Sequence, residues 1–294
     1  MWLMFTILGC KTVVEAPEIW PNAGCVADEV AEDVTWNTEQ WWQRSIIDDV
    51  ETHVQAHVPA SVNCTGAIVM APGGFQAGTP DLNSDQSEAL ADMGFMVVAY
   101  DPRGRGESEG EEDANGALGQ RDLAELLRWV AARPDVDPQR VVLFSRSFGA
   151  SLASGALGRF SDLKVRAWVD YEGPGWMEED LAHASDQNQE TFAAIVDQQP
   201  DSDLWWDDRE PAGWISNVNV DYYRVQGVPD HALGEWMGHA EAMVGGATSA
   251  SSVWFNNHLI TQPLTADQLR DLAISGGVEP GNNYITNTII SIMK

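Results

Sequence analysis

An α/β fold with a mostly parallel central sheet, covered by helices on both faces, is predicted by three observations. Short apolar runs recur at 66–71, 94–100, 140–144 and 165–170. Helix-forming patterns fill the intervals between them, and Pro- and Gly-rich turns stop the first two runs. Runs of this length suit strands buried on both sides, and their alternation with helices is the signature of a parallel sheet in a layered domain.

Each element follows in order. Over 51–61, Val54, Ala56 and Val58 alternate with His53, Gln55 and His57, the period of a half-buried strand. His53 and His57 fall on its polar side and are read as solvated residues, not metal ligands. The run at 66–71 stops at Pro72-Gly73-Gly74, and the run at 94–100 ends in Asp101-Pro102-Arg103-Gly104-Arg105-Gly106, with a helix expected over 84–93 between them. Leu123, Leu126, Leu127 and Val130 form one stripe of an amphipathic helix over 118–132, ended by Pro134 and Pro138. A strand at 140–144, a helix of small residues at 148–157 and a strand at 165–170 come next. The stretch 176–218 breaks the rhythm and mixes eleven acidic residues with Trp176, Trp205, Trp206 and Trp214. An insertion of this length is functional or disordered, and the tryptophans favour an ordered lid. A strand at 222–226, a helix at 232–244, a strand at 252–255 and a closing helix at 283–293 complete the chain.

The 294 residues contain 16 basic and 45 acidic side chains, a net charge of −29, and Lys occurs only at Lys11, Lys164 and Lys294. Such a surface repels polyanions, so nucleic acid is excluded as a partner. The first ten residues are apolar and too few to span a bilayer. Ile7-Leu8-Gly9-Cys10 resembles a bacterial lipobox, in which the cysteine is lipidated after export, although no basic residue precedes it. On this reading 1–10 is a signal, 11–32 a tether and 33–294 the folded domain. The protein then sits lipid-anchored on the cell envelope, membrane contact being through the anchor alone. A cytoplasmic enzyme with an apolar N-terminus is the alternative. Cys25 and Cys64 remain as a pair that an oxidising compartment would join or that would stay as buried thiols.

Ser145-Arg146-Ser147-Phe148-Gly149 lies between a predicted strand and a predicted helix, where a nucleophile elbow belongs. Ser145 stands where a glycine is usual. Asp101-Pro-Arg-Gly-Arg-Gly-Glu-Ser-Glu-Gly110 looks like the Asp-x-Arg-Gly-x-Gly-x-Ser-x-Gly run after the fourth strand of the α/β-hydrolase fold. With the elbow, it makes the folded part resemble the serine hydrolases of that family, and in particular the subgroup of Xaa-Pro peptidases, acyl-peptidases and small esterases. The resemblance implies a triad in the order serine, acid, histidine. It selects Asp230, after the strand at 222–226, and His258, after the strand at 252–255, with His239 in reserve. His231 is set aside because it adjoins Asp230 and cannot easily fold back toward it. The resemblance also implies an oxyanion hole formed by the N–H of Phe148 and that of Gly74 or Phe75. The expected chemistry is hydrolysis of an ester or a short peptide through an acyl-enzyme, with no cofactor and no metal. A non-catalytic binding relative and an acyltransferase with the same triad are the alternatives. Asp201 to Asp208 lack the spacing and central glycine of a calcium loop.

Overall fold

The computed structural model describes residues 13–15, 25, 34–60, 64–199, 201–275 and 282–294. Cys10 and most of the expected signal and tether lie outside them. The chain runs β1 (Val13–Glu15), β2 (Trp36–Arg44), β3 (Glu51–Pro59), β4 (Thr65–Ala71), α1 (Asp85–Asp92), β5 (Met96–Tyr100), α2 (Ala117–Ala132), β6 (Val136–Arg146), α3 (Gly149–Arg159) and β7 (Ala167–Tyr171). Four short helices follow: α4 (Met177–Leu181), α5 (Asp186–Val196), α6 (Ser202–Arg209) and α7 (Pro211–Trp214). Then come β8 (Asp221–Val225), α8 (Gly238–Gly246), β9 (Val253–Phe255), β10 (His258–Leu259), α9 (Ala266–Ser275) and α10 (Asn282–Met293).

The strands form one sheet in the order β1-β2-β3-β5-β4-β6-β7-β8-β9-β10. From β5 to β9 every neighbour is parallel, while β2–β3, β3–β5 and β9–β10 are antiparallel. The first strand falls inside the stretch expected to be a tether, and it pairs in parallel with β2. The central strands are buried end to end, as continuous apolar runs require. One face packs under α2, α3, α8 and α9 through residues such as Leu123, Leu127, Leu152, Met243 and Leu269. Leu90 of α1 and Ile285 and Ile289 of α10 cover the other face. Full burial of each such side chain contributes about 1.5–3 kcal/mol, so the two layers fix the sheet and leave its ends to the loops. Among the described residues, no helix is long and apolar enough to cross a membrane.

Two expectations on β3 are overturned. His53 and His57 are 1% and 2% exposed, not solvated. With β2 and β5 on its two sides, β3 is an interior strand, and the turn around Leu82 covers its second face. The His53 Nδ1 lies 3.1 Å from Asp101 Oδ2, and His57 Nε2 donates to the Leu82 carbonyl at 2.8 Å. The helix expected over 232–244 begins only at Gly238. Residues 230–234 instead make a turn in which Asp230 and Gly234 exchange backbone hydrogen bonds, and it is preceded by a cis Val228–Pro229 bond. Cys25 and Cys64 are joined in a disulfide.

Candidate active site

Moving outward from β4, the chain builds β5 on one side and β6 to β9 on the other. A crevice opens beyond the carboxyl ends of strands at such a switch point, the place where α/β sheets bind ligands. The turn after β4 and the turn after β6 meet there. Ser147 follows β6 with φ of 52°, the left-handed region that a non-glycine residue occupies only when its surroundings impose it. Its N–H donates to the Tyr171 carbonyl and its own carbonyl accepts from Ala150 N–H, both at 2.9 Å. The elbow is tight. A Cβ on Gly149 would lie 2.5 Å from the Ala71 carbonyl oxygen, and one on Gly73 would lie 3.2 Å from Ser147 Cβ. Ser145 fills the usual glycine position because its hydroxyl is wanted: it accepts from Trp168 Nε1 at 2.8 Å and donates to Asp170 at 3.3 Å.

The histidine that reaches Ser147 is His231. Its Nε2 is 2.9 Å from Ser147 Oγ, and its Nδ1 is 2.6 Å from Glu172 Oε2. With Nδ1–H given to the carboxylate, Nε2 is left to accept the serine proton. Glu172 follows β7 with φ of 49°, and its carboxylate is fully buried. Its Oε1 accepts from Gly227 N–H at 3.0 Å, and its backbone N–H donates to the Val225 carbonyl at 3.0 Å. The hydrogen bond to Glu172 raises the imidazole pKa above its ordinary value; burial opposes this, and the Asp230 charge adds to it.

This corrects the expected acid and base. His258 does not meet Ser147. It begins β10, is exposed, and has Nδ1 3.0 Å from the Asn256 carbonyl oxygen. Asn256 and Asn257 both take positive φ, 48° and 63°, the conformation of a tight two-residue hairpin. That turn sends His258 back along β9, opposite Phe255 at the sheet edge. Asp230 is buried beside the site but is not the nearest partner of the base: its Oδ1 is 3.6 Å from His231 Nδ1. It accepts from Ala232 N–H at 2.7 Å, Leu233 N–H at 2.9 Å and Gln226 Nε2 at 2.8 Å. Burial disfavours its charge, but hydrogen bonds from His239, Gln226 and Ala232 outweigh that and hold its carboxyl far below the usual range. His239 is fully buried, with Nε2 3.0 Å from Gln226 Oε1, and it serves this inner network. The objection to His231 assumed Asp230 as its partner. Glu172, from another strand, removes the need to fold back.

The sequence signal for Glu172 is the turn Tyr171-Glu172-Gly173-Pro174, which stops the next apolar strand after Ser147. Gly173 is needed there, since a Cβ would approach Ala150 Cβ to 2.4 Å. The resulting order Ser147, Glu172, His231 keeps the serine–acid–histidine sequence.

On the other side of Ser147, among the described residues, no acceptor takes the N–H of Phe148, Gly74 or Phe75. Gly74 has φ of 59°, and its carbonyl is held by Arg105 Nη1 at 3.0 Å. Arg105 also pairs with Glu112 and donates to Asn115 Oδ1 at 2.7 Å, and Asn115 Nδ2 donates to the Phe148 carbonyl at 2.8 Å. One guanidinium therefore ties both turns of the expected oxyanion hole together. Arg103 clamps Asp122 with bonds of 2.9 and 3.0 Å, and Asp101 accepts from the Thr79 and Glu107 N–H groups.

A cavity of about 80 Å³ opens beside Ser147. Phe148, Met177, Leu181, Phe192 and Leu233 give it a largely apolar wall. α4 and α5 supply much of that wall, so the 176–218 insertion lies over the serine. Trp205 and Trp206 pack beneath it against Phe148 and Met177, and Arg159 stacks on Trp214 at 3.9 Å. Trp176 is 44% exposed. The carboxylates of the acidic run, Asp201, Asp203 and Asp207, face solvent. Among the described residues, one side-chain group, Glu172, Asp230 and His231, has ligand-like spacing, within 4.8 Å. Its atoms are committed to the hydrogen bonds above, and we read the group as a proton-handling one.

Residues 31–169 match the X-Pro dipeptidyl-peptidase (S15) family. The match includes Gly74, Phe75 and Ser147 and stops before Glu172 and His231. Thiohydrolase apmlB of Arthrinium phaeospermum is 30% identical over 118 residues, 37% of this chain and 38% of that protein. The uncharacterized protein YfhR of Salmonella typhi is 29% identical over 147 residues, 49% of this chain and 48% of that protein. The chain thus spans well under two thirds of the curated relatives it matches. Among solved structures, a puromycin-hydrolyzing peptidase of Mycobacterium tuberculosis aligns with a TM-score of 0.63 at 12% identity, over 87% of this chain and 39% of that one. An esterase of Pyrococcus furiosus aligns at 0.58 and 12% identity, over 88% of this chain and 92% of that one. The fold is the α/β-hydrolase fold.

Proposed function

We propose that this α/β-hydrolase-fold chain, with the S15 pattern across residues 31–169, is a serine hydrolase that cleaves an ester or amide through an acyl-enzyme. The observation that carries the reading is the unbroken line Ser147 Oγ–His231–Glu172, with contacts of 2.9 and 2.6 Å. His231 takes the hydroxyl proton as Ser147 Oγ bonds to the carbonyl carbon, and Glu172 stabilises the imidazolium and fixes its tautomer. The N–H groups of Phe148 and of Gly74 or Phe75 receive the developing oxyanion. The imidazolium then protonates the leaving group, and water repeats the sequence on the acyl-enzyme. An apolar cavity of about 80 Å³ is small beside ligand pockets of roughly 300–1,000 Å³, which supports a substrate with a compact apolar group next to the scissile bond.

A fluorophosphonate probe should label the wild-type protein and fail on Ser147→Ala. Labelling and p-nitrophenyl acetate turnover should be lost in His231→Ala and retained in His258→Ala. Equal labelling of wild type and Ser147→Ala refutes the assignment.

We further propose that the protein works outside the cytoplasm, lipidated at Cys10. Support comes from the Cys25–Cys64 disulfide, a bond that persists in oxidising compartments, and from the lipobox-like sequence before Cys10. Mass spectrometry of the native protein tests this. A peptide retaining Met1 with unmodified Cys10 would place the enzyme in the cytoplasm.

A further inference from the structure

We propose that Asp230 is a second carboxylate for His231, able to hold the Nδ1 proton when Glu172 cannot. The inference rests on the serine-hydrolase reading above. Two buried acids flank one ring nitrogen: Glu172 Oε2 at 2.6 Å and Asp230 Oδ1 at 3.6 Å. Closing the second distance to a charge-assisted bond of about 2.8 Å needs a movement of roughly 0.8 Å. The imidazole has room for it, since its side chain is 43% exposed.

Asp230 is built as a charge rather than a simple turn former. Its Oδ1 already caps the N–H groups of Ala232 and Leu233, which suffices for a turn. Behind it stands a further buried relay. Gln226 Nε2 donates to Asp230 Oδ2 at 2.8 Å, and Gln226 Oε1 accepts from Arg224 Nη2 at 2.6 Å and lies 3.0 Å from His239 Nε2. Arg224 is in turn paired with Asp170 at 2.6 Å. This arrangement stabilises an ionised carboxylate directly against the base. The other groups facing His231 do not substitute for it. Arg146 is a cation whose charge disfavours the imidazolium, and Tyr171 presents a stacked ring at 6.4 Å.

During acylation the Ser147 proton passes to His231 Nε2 as the Oγ–C bond forms. Nδ1–H stays on the ring, shared with a carboxylate, so nothing is transferred to either acid. Asp230 is therefore a positioning and electrostatic residue.

The test compares Glu172→Gln, Asp230→Asn and the double variant, using p-nitrophenyl acetate turnover and the rate of fluorophosphonate labelling. Loss of a sole triad acid costs about 10⁴-fold in kcat. With Asp230 in reserve, Glu172→Gln should lose only about 10²-fold, with KM nearly unchanged, and the double variant should fall roughly another 10²-fold. Asp230→Asn alone should move the pH midpoint of kcat/KM downward. A Glu172→Gln enzyme of native circular dichroism that loses the full ~10⁴-fold overturns the proposal without needing any Asp230 variant to fold. So does an unmoved midpoint in folded Asp230→Asn. Failure of the serine-hydrolase reading looks different: Ser147→Ala would then be labelled like wild type.

Discussion

Two arginines hold the two halves of the site, and they do so in unlike surroundings. Arg105, on the oxyanion side, bonds the Gly74 carbonyl and Asn115 and pairs with Glu112, whose side chain is 34% exposed. Arg224, on the acid–base side, meets Asp170 with both side chains at 0% exposure, and also bonds Gly173 and Gln226. Tyr222 O–H donates to the same Asp170 at 2.9 Å. Removing one partner of a fully buried pair strands the other charge, whereas a partner near solvent can rehydrate. The acid–base half is thus bound into the stability of the fold, while the oxyanion half can be disturbed with the fold intact.

The largest expected effect follows from that asymmetry. Arg224→Met should lower unfolding stability by about 3–5 kcal/mol, measured by urea titration, because Asp170 is left buried and unpaired. A loss below about 1 kcal/mol would erase the distinction between the halves. Arg105→Met should keep most of the stability but reduce kcat by about 10–100-fold with little change in KM, since misdirecting an oxyanion donor costs somewhat less than deleting one. A third measurement sharpens the acid–base side. The hydrogen bond that His231 gives to Glu172 raises the imidazole pKa, and the proposed reaction needs the neutral ring. The rising limb of kcat/KM against pH should therefore have its midpoint above about 6.5 and lose activity as pH falls through it. Glu172→Gln should shift that midpoint down. The smallest effect belongs to a residue in neither half: His258→Ala should alter stability by no more than about 0.5 kcal/mol and leave turnover of p-nitrophenyl acetate unchanged.

The sheet was readable because burial on both faces leaves a one-dimensional trace. Runs such as Ala67 to Ala71 and Met96 to Tyr100 have no polar face to disguise them. β2 was missed, since its first half is exposed and only Trp41 and Gln43 point inward. The elbow was legible for a local reason: Ser147 depends on its immediate neighbours Gly149 and Phe148. The proposed acid and base are not local. Glu172 meets His231 across 59 residues, through the parallel pairing of β7 with β8. Adjacency in sequence made His231 and Asp230 look mutually exclusive, and adjacency in the sheet decided otherwise. His53 and His57 misled in the opposite sense. Their alternation was seen correctly, but a strand with neighbours on both sides and a turn packed over it has no solvated face.

The Cys25–Cys64 bridge has a mechanical consequence. Tension applied at the N-terminus first loads β1 against β2; once β1 is pulled away, it enters at Cys25 and crosses directly to Cys64. From there it reaches Thr65, the first residue of β4. β2 and β3 lie inside the loop that the bridge closes, so beyond β1 the load path bypasses them. The force arrives instead at a strand flanked on both sides by parallel partners, β5 and β6, where many hydrogen bonds would have to shear together. In the reduced chain the same pull would pass from β1 on to β2 and strip the sheet one strand at a time.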